Sequence, residues 1–151
     1  MSRMENCILT NMCMICDGNK ILVQDRKNPN WPGITFPGGH VESKESFVES
    51  VIREVKEETN LDIAQVKLCG VKQWTSKSED YRYLVFFFRA DSFSGTLKSS
   101  NEGEVFWIEK EHLHNYQLAD GFAGMYEVFE QEELSENYYW LENNQWNTKN
   151  L

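Results

Sequence analysis

A chain of 151 residues, 40% hydrophobic and 13% aromatic, holds enough apolar material for one globular domain with a buried core and is too apolar to be disordered. A net charge of −9 opposes polymeric nucleic acid, which is gripped mainly through Lys and Arg on phosphates, but admits a phosphorylated small molecule whose charge a bound metal offsets. No apolar run reaches membrane-span length and the first ten residues lack a secretion-signal pattern, so no membrane partner and a cytoplasmic location are expected.

Residues 8–15 and 20–24 flank Asp17-Gly18-Asn19 and predict a β-hairpin. Cys13 and Cys16 have the spacing of a zinc or redox pair. On a strand, however, side chains three apart face opposite ways, so reduced core cysteines are expected. The loop 25–37 carries all three prolines and Trp31, and it ends at Gly38-Gly39, where backbone can approach a ligand closely. Ser46 and Glu49 form a capping box, and Phe47, Val48, Val51, Ile52 and Val55 recur at helical spacing. That helix runs to about Thr59, with Asn60 placed to close it in the left-handed conformation.

Residues 66–74, 83–88 and 104–108 read as strands, the second apolar throughout as a strand buried on both faces would be. Phe122, Met125, Tyr126 and Phe129 predict a second short helix, followed by an acidic stretch at 127–136. Residues 138–146, with Asn143-Asn144 in the middle, suggest a terminal hairpin. With no repeat and no linker, residues 1–151 read as one mixed α/β domain.

The first helix poses an electrostatic problem. At about 100° per residue, Glu54, Glu57 and Glu58 fall within an arc of roughly 100°, with Arg53 beside Glu57 and the apolar residues mostly opposite. The helix dipole disfavours anions at this C-terminal end, and Glu54 and Glu58 repel at i, i+4. A lone acidic cluster is ordinarily a solvated face. A hard divalent cation also removes the conflict, because Mg²⁺ takes oxygen ligands, keeps several waters and shares carboxylates with substrate phosphates. It makes water easier to deprotonate, and a remaining carboxylate can accept the proton.

Gly39, Glu45, Arg53, Glu54, Val55, Glu57, Glu58 and Leu61 match G-x5-E-x7-R-E-U-x-E-E-x-G-U, where U is bulky and apolar. A chance match to its six specific positions is on the order of 10⁻⁷ per starting point. The chain therefore resembles the Nudix hydrolases, departing only at Asn60, where the pattern has glycine. The resemblance implies the Nudix fold, a mixed β-sheet sandwiched between α-helices (α/β/α), and hydrolysis of nucleoside diphosphate linkages with Mg²⁺, or Mn²⁺ as a substitute. It implies Glu57, Glu58 and the Gly38 carbonyl as metal ligands. Glu54 is implied as ligand or base, Arg53 as the residue that orients it, and Glu45 as an outer member.

Phe36-Pro37-Gly38-Gly39 and Asn101-Glu102-Gly103 further resemble the MutT-type group that cleanses oxidised dGTP. By that similarity Glu102 is a further candidate metal ligand, with Glu104 as the alternative. Trp31, Thr35, Phe36 and Asp120 are candidates for binding the base, and Arg26, Gly39 and His40 for the phosphates. The expected substrate is a (deoxy)nucleoside triphosphate such as 8-oxo-dGTP, cut to monophosphate and pyrophosphate. The alternatives are a nucleoside diphosphate sugar, a dinucleoside polyphosphate, a capped RNA end, or a nucleotide sensor without catalysis.

Overall fold

The computed structural model describes residues 3–151. They form, in chain order, strands β1 (Cys7–Asp17), β2 (Lys20–Arg26) and β3 (Gly33–Thr35), helix α1 (Phe47–Thr59), then β4 (Asp62–Ala64), β5 (Lys67–Thr75), β6 (Arg82–Ala90), β7 (Ser92–Ser94) and β8 (Gly103–Glu109). A 3₁₀ turn (Lys110–Asn115), helix α2 (Phe122–Glu130) and the hairpin β9 (Glu136–Glu142) with β10 (Gln145–Asn150) complete the fold. The expected hairpins and both expected helices are present. The strands β3, β4 and β7 and the 3₁₀ turn are too short to leave a periodic signal.

The large sheet runs β10-β9-β5-β6-β1-β2-β3, with β8 also on β2, while β4 and β7 pair separately. It is mixed, because β1 with β6 and β5 with β9 are parallel whereas the other pairs are antiparallel. Asn143 and Asn144 turn the terminal hairpin at φ of 53° and 63°, left-handed values that asparagine tolerates.

The hairpin of β1 and β2 pairs only beside its turn, at Cys16↔Ile21 and Asp17↔Lys20, and then opens. Residues 37–41 enter the gap as a wedge along β1. Cys13 N donates to Pro37 O at 2.9 Å, Asn11 N to Gly39 O at 2.8 Å, and Val41 N to Leu9 O at 2.9 Å. Gly38 is required here, since a Cβ would collide with the Asn11 carbonyl. The wedge carries the glycine pair to the mouth of the opened sheet.

Two apolar layers cover the faces of the sheet, as the period-2 alternation of buried strands demands. Met12, Met14, Cys16 and Phe87 pack with Phe122, Met125 and Phe129 of α2. Cys13, Ile15 and Phe88 pack on the other face with Val51 and Val55 of α1. Cys13 and Cys16 thus lie on opposite faces and are free thiols, as the strand reading requires. Phe47 and Val48 are exposed, because the first turn of α1 projects past the core, where Phe47 stacks on Phe86 at 4.3 Å. Among the described residues no helix is long and apolar enough to cross a membrane.

Candidate active site

Local chemistry places α1. Ser46 Oγ accepts from Glu49 N at 3.0 Å, and Asn60 closes the helix at φ 66°. Asn11, a polar residue within the apolar strand β1, ties three elements together. Its Nδ2 donates to Ser50 Oγ at 2.7 Å, and its Oδ1 accepts from Gly39 N at 3.1 Å. The wedge and the acidic edge of α1 are thereby brought face to face, and a Cβ on Gly39 would strike the Glu54 carboxylate.

Arg53 organises the acids. Its guanidinium holds Glu45 in a bidentate pair (Nε to Oε2 2.7 Å, Nη2 to Oε1 3.0 Å), which keeps that carboxyl down at about 2. The same group reaches Glu54 at 2.9 Å, Glu57 at 3.3 Å and the His40 carbonyl at 3.0 Å. Glu54 is raised above the usual carboxylate range by burial, against the pull of Arg53. Glu58 is only 5% exposed, and burial pushes it up to about 8. Gly38 N and Gln24 Nε2 both donate to its Oε2 at 3.1 Å, while Glu54 and Glu102 add repulsion.

A buried carboxyl with like charges around it and no cationic partner suits a cation ligand, so these residues fit a divalent metal. Among the described residues no three Asp, Glu, His or Cys side chains enclose a single point. That is compatible with Mg²⁺, which commonly takes one or two carboxylates and completes its shell with water and phosphate oxygens.

A cleft of about 820 Å³ opens beside these groups. Gly38, Gly39, His40, Glu54, Glu58 and Glu102 line one end, and Arg26, Trp31 and Asp120 also face it. Glu57 is more than half exposed and stands just outside, paired with Arg53. Of the two downstream acids, Glu102 faces this cleft, whereas Glu104 opens onto a separate depression with Asp25 and Tyr116. Arg26 lies over the Trp31 ring, 5.1 Å from its centre, and Trp31 Nε1 donates to the Asp120 carbonyl at 2.8 Å.

Two expectations need correction. Thr35 is fully buried opposite Gln24 in the β2–β3 pair, with its hydroxyl on Met12 Sδ, so it cannot meet a ligand. Phe36, 2% exposed, sits edge-on between Phe122 and Phe129, so it backs the cleft wall from the core and offers no stacking face. The residues missed from sequence are Asn11, Gln24, Lys72, Trp74, Tyr83 and Tyr139. Asn11 carries a signal, being a polar position inside the apolar run of β1, whereas Gln24 ends the apolar run of β2 and reads as an ordinary polar strand residue. The others are brought to the cleft by strand order alone.

The mixed, curled sheet with helices on its faces and a carboxylate-rich cleft define an α/β domain fitted to a divalent metal and a small ligand. Residues 9–131 match the NUDIX domain, and the chain belongs to the Nudix hydrolase family, whose members generally use divalent metal ions to hydrolyse diphosphate bonds in small-molecule nucleotides. It is 34% identical over 125 residues to the uncharacterized Nudix hydrolase YvcI of Bacillus subtilis, covering 80% of this chain and 74% of that protein. It is 39% identical over 88 residues to an ADP-ribose pyrophosphatase of Methanocaldococcus jannaschii, covering 57% of this chain and 52% of the relative. A MutT protein from Bacillus halodurans has the same fold, with a TM-score of 0.78 at 22% identity over 94% of this chain and 97% of that one.

Proposed function

We propose that residues 1–151 act as one cytoplasmic domain that hydrolyses a (deoxy)nucleoside triphosphate, an oxidised purine such as 8-oxo-dGTP foremost, with Mg²⁺ as its metal and Mn²⁺ as a substitute. The observation that carries this reading is the polarity of the cleft. Glu54, Glu58, Glu102 and the glycine wedge line it together with the rings of Trp74, Tyr83 and Tyr139 and with Asp120 and Lys72, and Lys72 stands three strand spacings across the sheet from His40. An elongated ligand with a polyphosphate at one end and a planar base at the other matches that arrangement.

Glu54, Glu57, Glu58, Glu102 and the Gly38 carbonyl are the groups to hold the metal, which would offset phosphate charge and make the attacking water easier to deprotonate. Arg53 orients Glu54, the candidate proton acceptor. His40, Gly39 and Arg26 are placed to touch phosphates. Water forms a new P–O bond, the bridging α–β anhydride bond breaks, and monophosphate and pyrophosphate leave.

A second reading, a nucleoside diphosphate sugar as substrate, is favoured by the similarity to the ADP-ribose pyrophosphatase. A panel of normal and oxidised dNTPs, ADP-ribose and dinucleoside polyphosphates, assayed with Mg²⁺, separates the two. The expected result is the highest kcat/KM on an oxidised purine triphosphate. A preference for ADP-ribose would replace the first reading by the second.

A further inference from the structure

The buried lysine in the cleft, Lys72, stands apart from the acid cluster. Lys72 is 5% exposed, and among the described residues its ammonium has no carboxylate partner at ion-pair distance. Its neighbours are the Tyr139 ring at 3.6 Å, the Trp74 ring at 5.6 Å and Met125 Sδ at 3.5 Å. Rings and a thioether steady an ammonium, but they do not satisfy its three N–H donors. Burial accordingly pushes the group down to about 8, which still leaves it charged at neutral pH. Packing alone would be better served there by methionine or leucine, so the free donors point to a ligand acceptor.

The sheet register says which part of a ligand that is. Lys72 pairs with Val85, Val85 with Thr10, and Thr10 bridges to His40, and all four line the cleft. The row spans three strand spacings, so Lys72 lies about 14 Å across the sheet from the phosphate end. The stacked pair Trp74 and Tyr83, with centres 4.4 Å apart and planes 12° apart, offers an aromatic platform beside it. Asp120 lines the same cleft close enough for its charge to act on Lys72, and the turn it shares with Gly121 at the start of α2 packs on this group, since a Cβ on Gly121 would strike the Tyr139 hydroxyl.

We infer that Lys72, with Asp120 beside it, selects a base that presents a carbonyl oxygen next to an N–H, as guanine and its oxidised forms do, over one that presents an amino group there, as adenine does. Lys72 donates to the carbonyl and has no acceptor for an exocyclic amine, while Asp120 accepts from the adjacent N–H. The inference rests on the nucleotide reading above but not on which bond is cut.

The test is equilibrium binding of dGMP and dAMP, read by tryptophan fluorescence, to the wild type, Lys72→Met and Lys72→Leu, each checked by its melting curve. The wild type is expected to bind dGMP at least about tenfold more tightly than dAMP. The substitutions should remove most of that preference by weakening dGMP while leaving dAMP within about twofold. Equal binding of the two nucleotides by the wild type would overturn the inference. So would a preference that survives both substitutions, or a variant that melts as the wild type does and weakens both nucleotides alike. If the preference holds but no triphosphate is hydrolysed, the triphosphatase reading falls and the role of Lys72 stands. If triphosphates are hydrolysed without base preference, the reverse is true.

Discussion

Replacing Glu58 by glutamine should make the metal-free protein more stable while weakening its response to metal. The carboxyl is raised from 4.5 to about 8 by burial. A group whose folded pKa is raised is unpenalised below pH 4.5, and the penalty grows until pH passes about 8. Each tenfold change in proton affinity is worth about 1.4 kcal/mol, so ionised Glu58 costs the fold about 5 kcal/mol at and above pH 8. A buried amide returns part of this, which leaves a net gain of about 2 kcal/mol for Glu58→Gln. For a domain of this length that raises Tm by roughly 4–8 °C. Thermal melts in EDTA at pH 8 and pH 4.5 should show that rise at the higher pH and little difference at the lower. Saturating Mg²⁺ should then raise the Tm of the wild type far more than that of the variant. A variant less stable than the wild type in EDTA at pH 8, or one with an undiminished Mg²⁺ response, would refute the assignment of Glu58 as a buried cation ligand.

Glu57→Gln alters a residue more than half exposed, so its Tm should change little while turnover of every substrate falls at least about 10²-fold. Gly39→Ala sets a methyl group against the Glu54 carboxylate; kcat should collapse with a melting curve close to wild type. Asn11→Ala unties the wedge from Ser50 and Gly39, and should cost about 1–3 kcal/mol in urea unfolding together with a loss of activity.

Helix α1 is legible in the sequence because its signals are local. Ser46, the 3.6-residue period and Asn60 act within one segment, and the mutual repulsion of the acids on one edge is the local signal that points to a cation site. The sheet order is not legible, because the parallel pairings of β1 with β6 and β5 with β9 join segments far apart in sequence. That is why Lys72 and Tyr139 escape notice, each reading as an ordinary strand residue until the sheet sets both at one cleft. Thr35 fails for a related reason. The loop 25–37 contains the short strand β3, whose pairing with β2 turns Thr35 inward. The Asn11 link is long-range too, although a polar side chain within an apolar strand is a cue that sequence offers.

Product analysis with 8-oxo-dGTP tests metal-assisted cleavage of the diphosphate most directly. Equimolar monophosphate and pyrophosphate should appear, vanish in EDTA and return when Mg²⁺ is restored. Release of orthophosphate instead, or turnover that persists in EDTA, would contradict it.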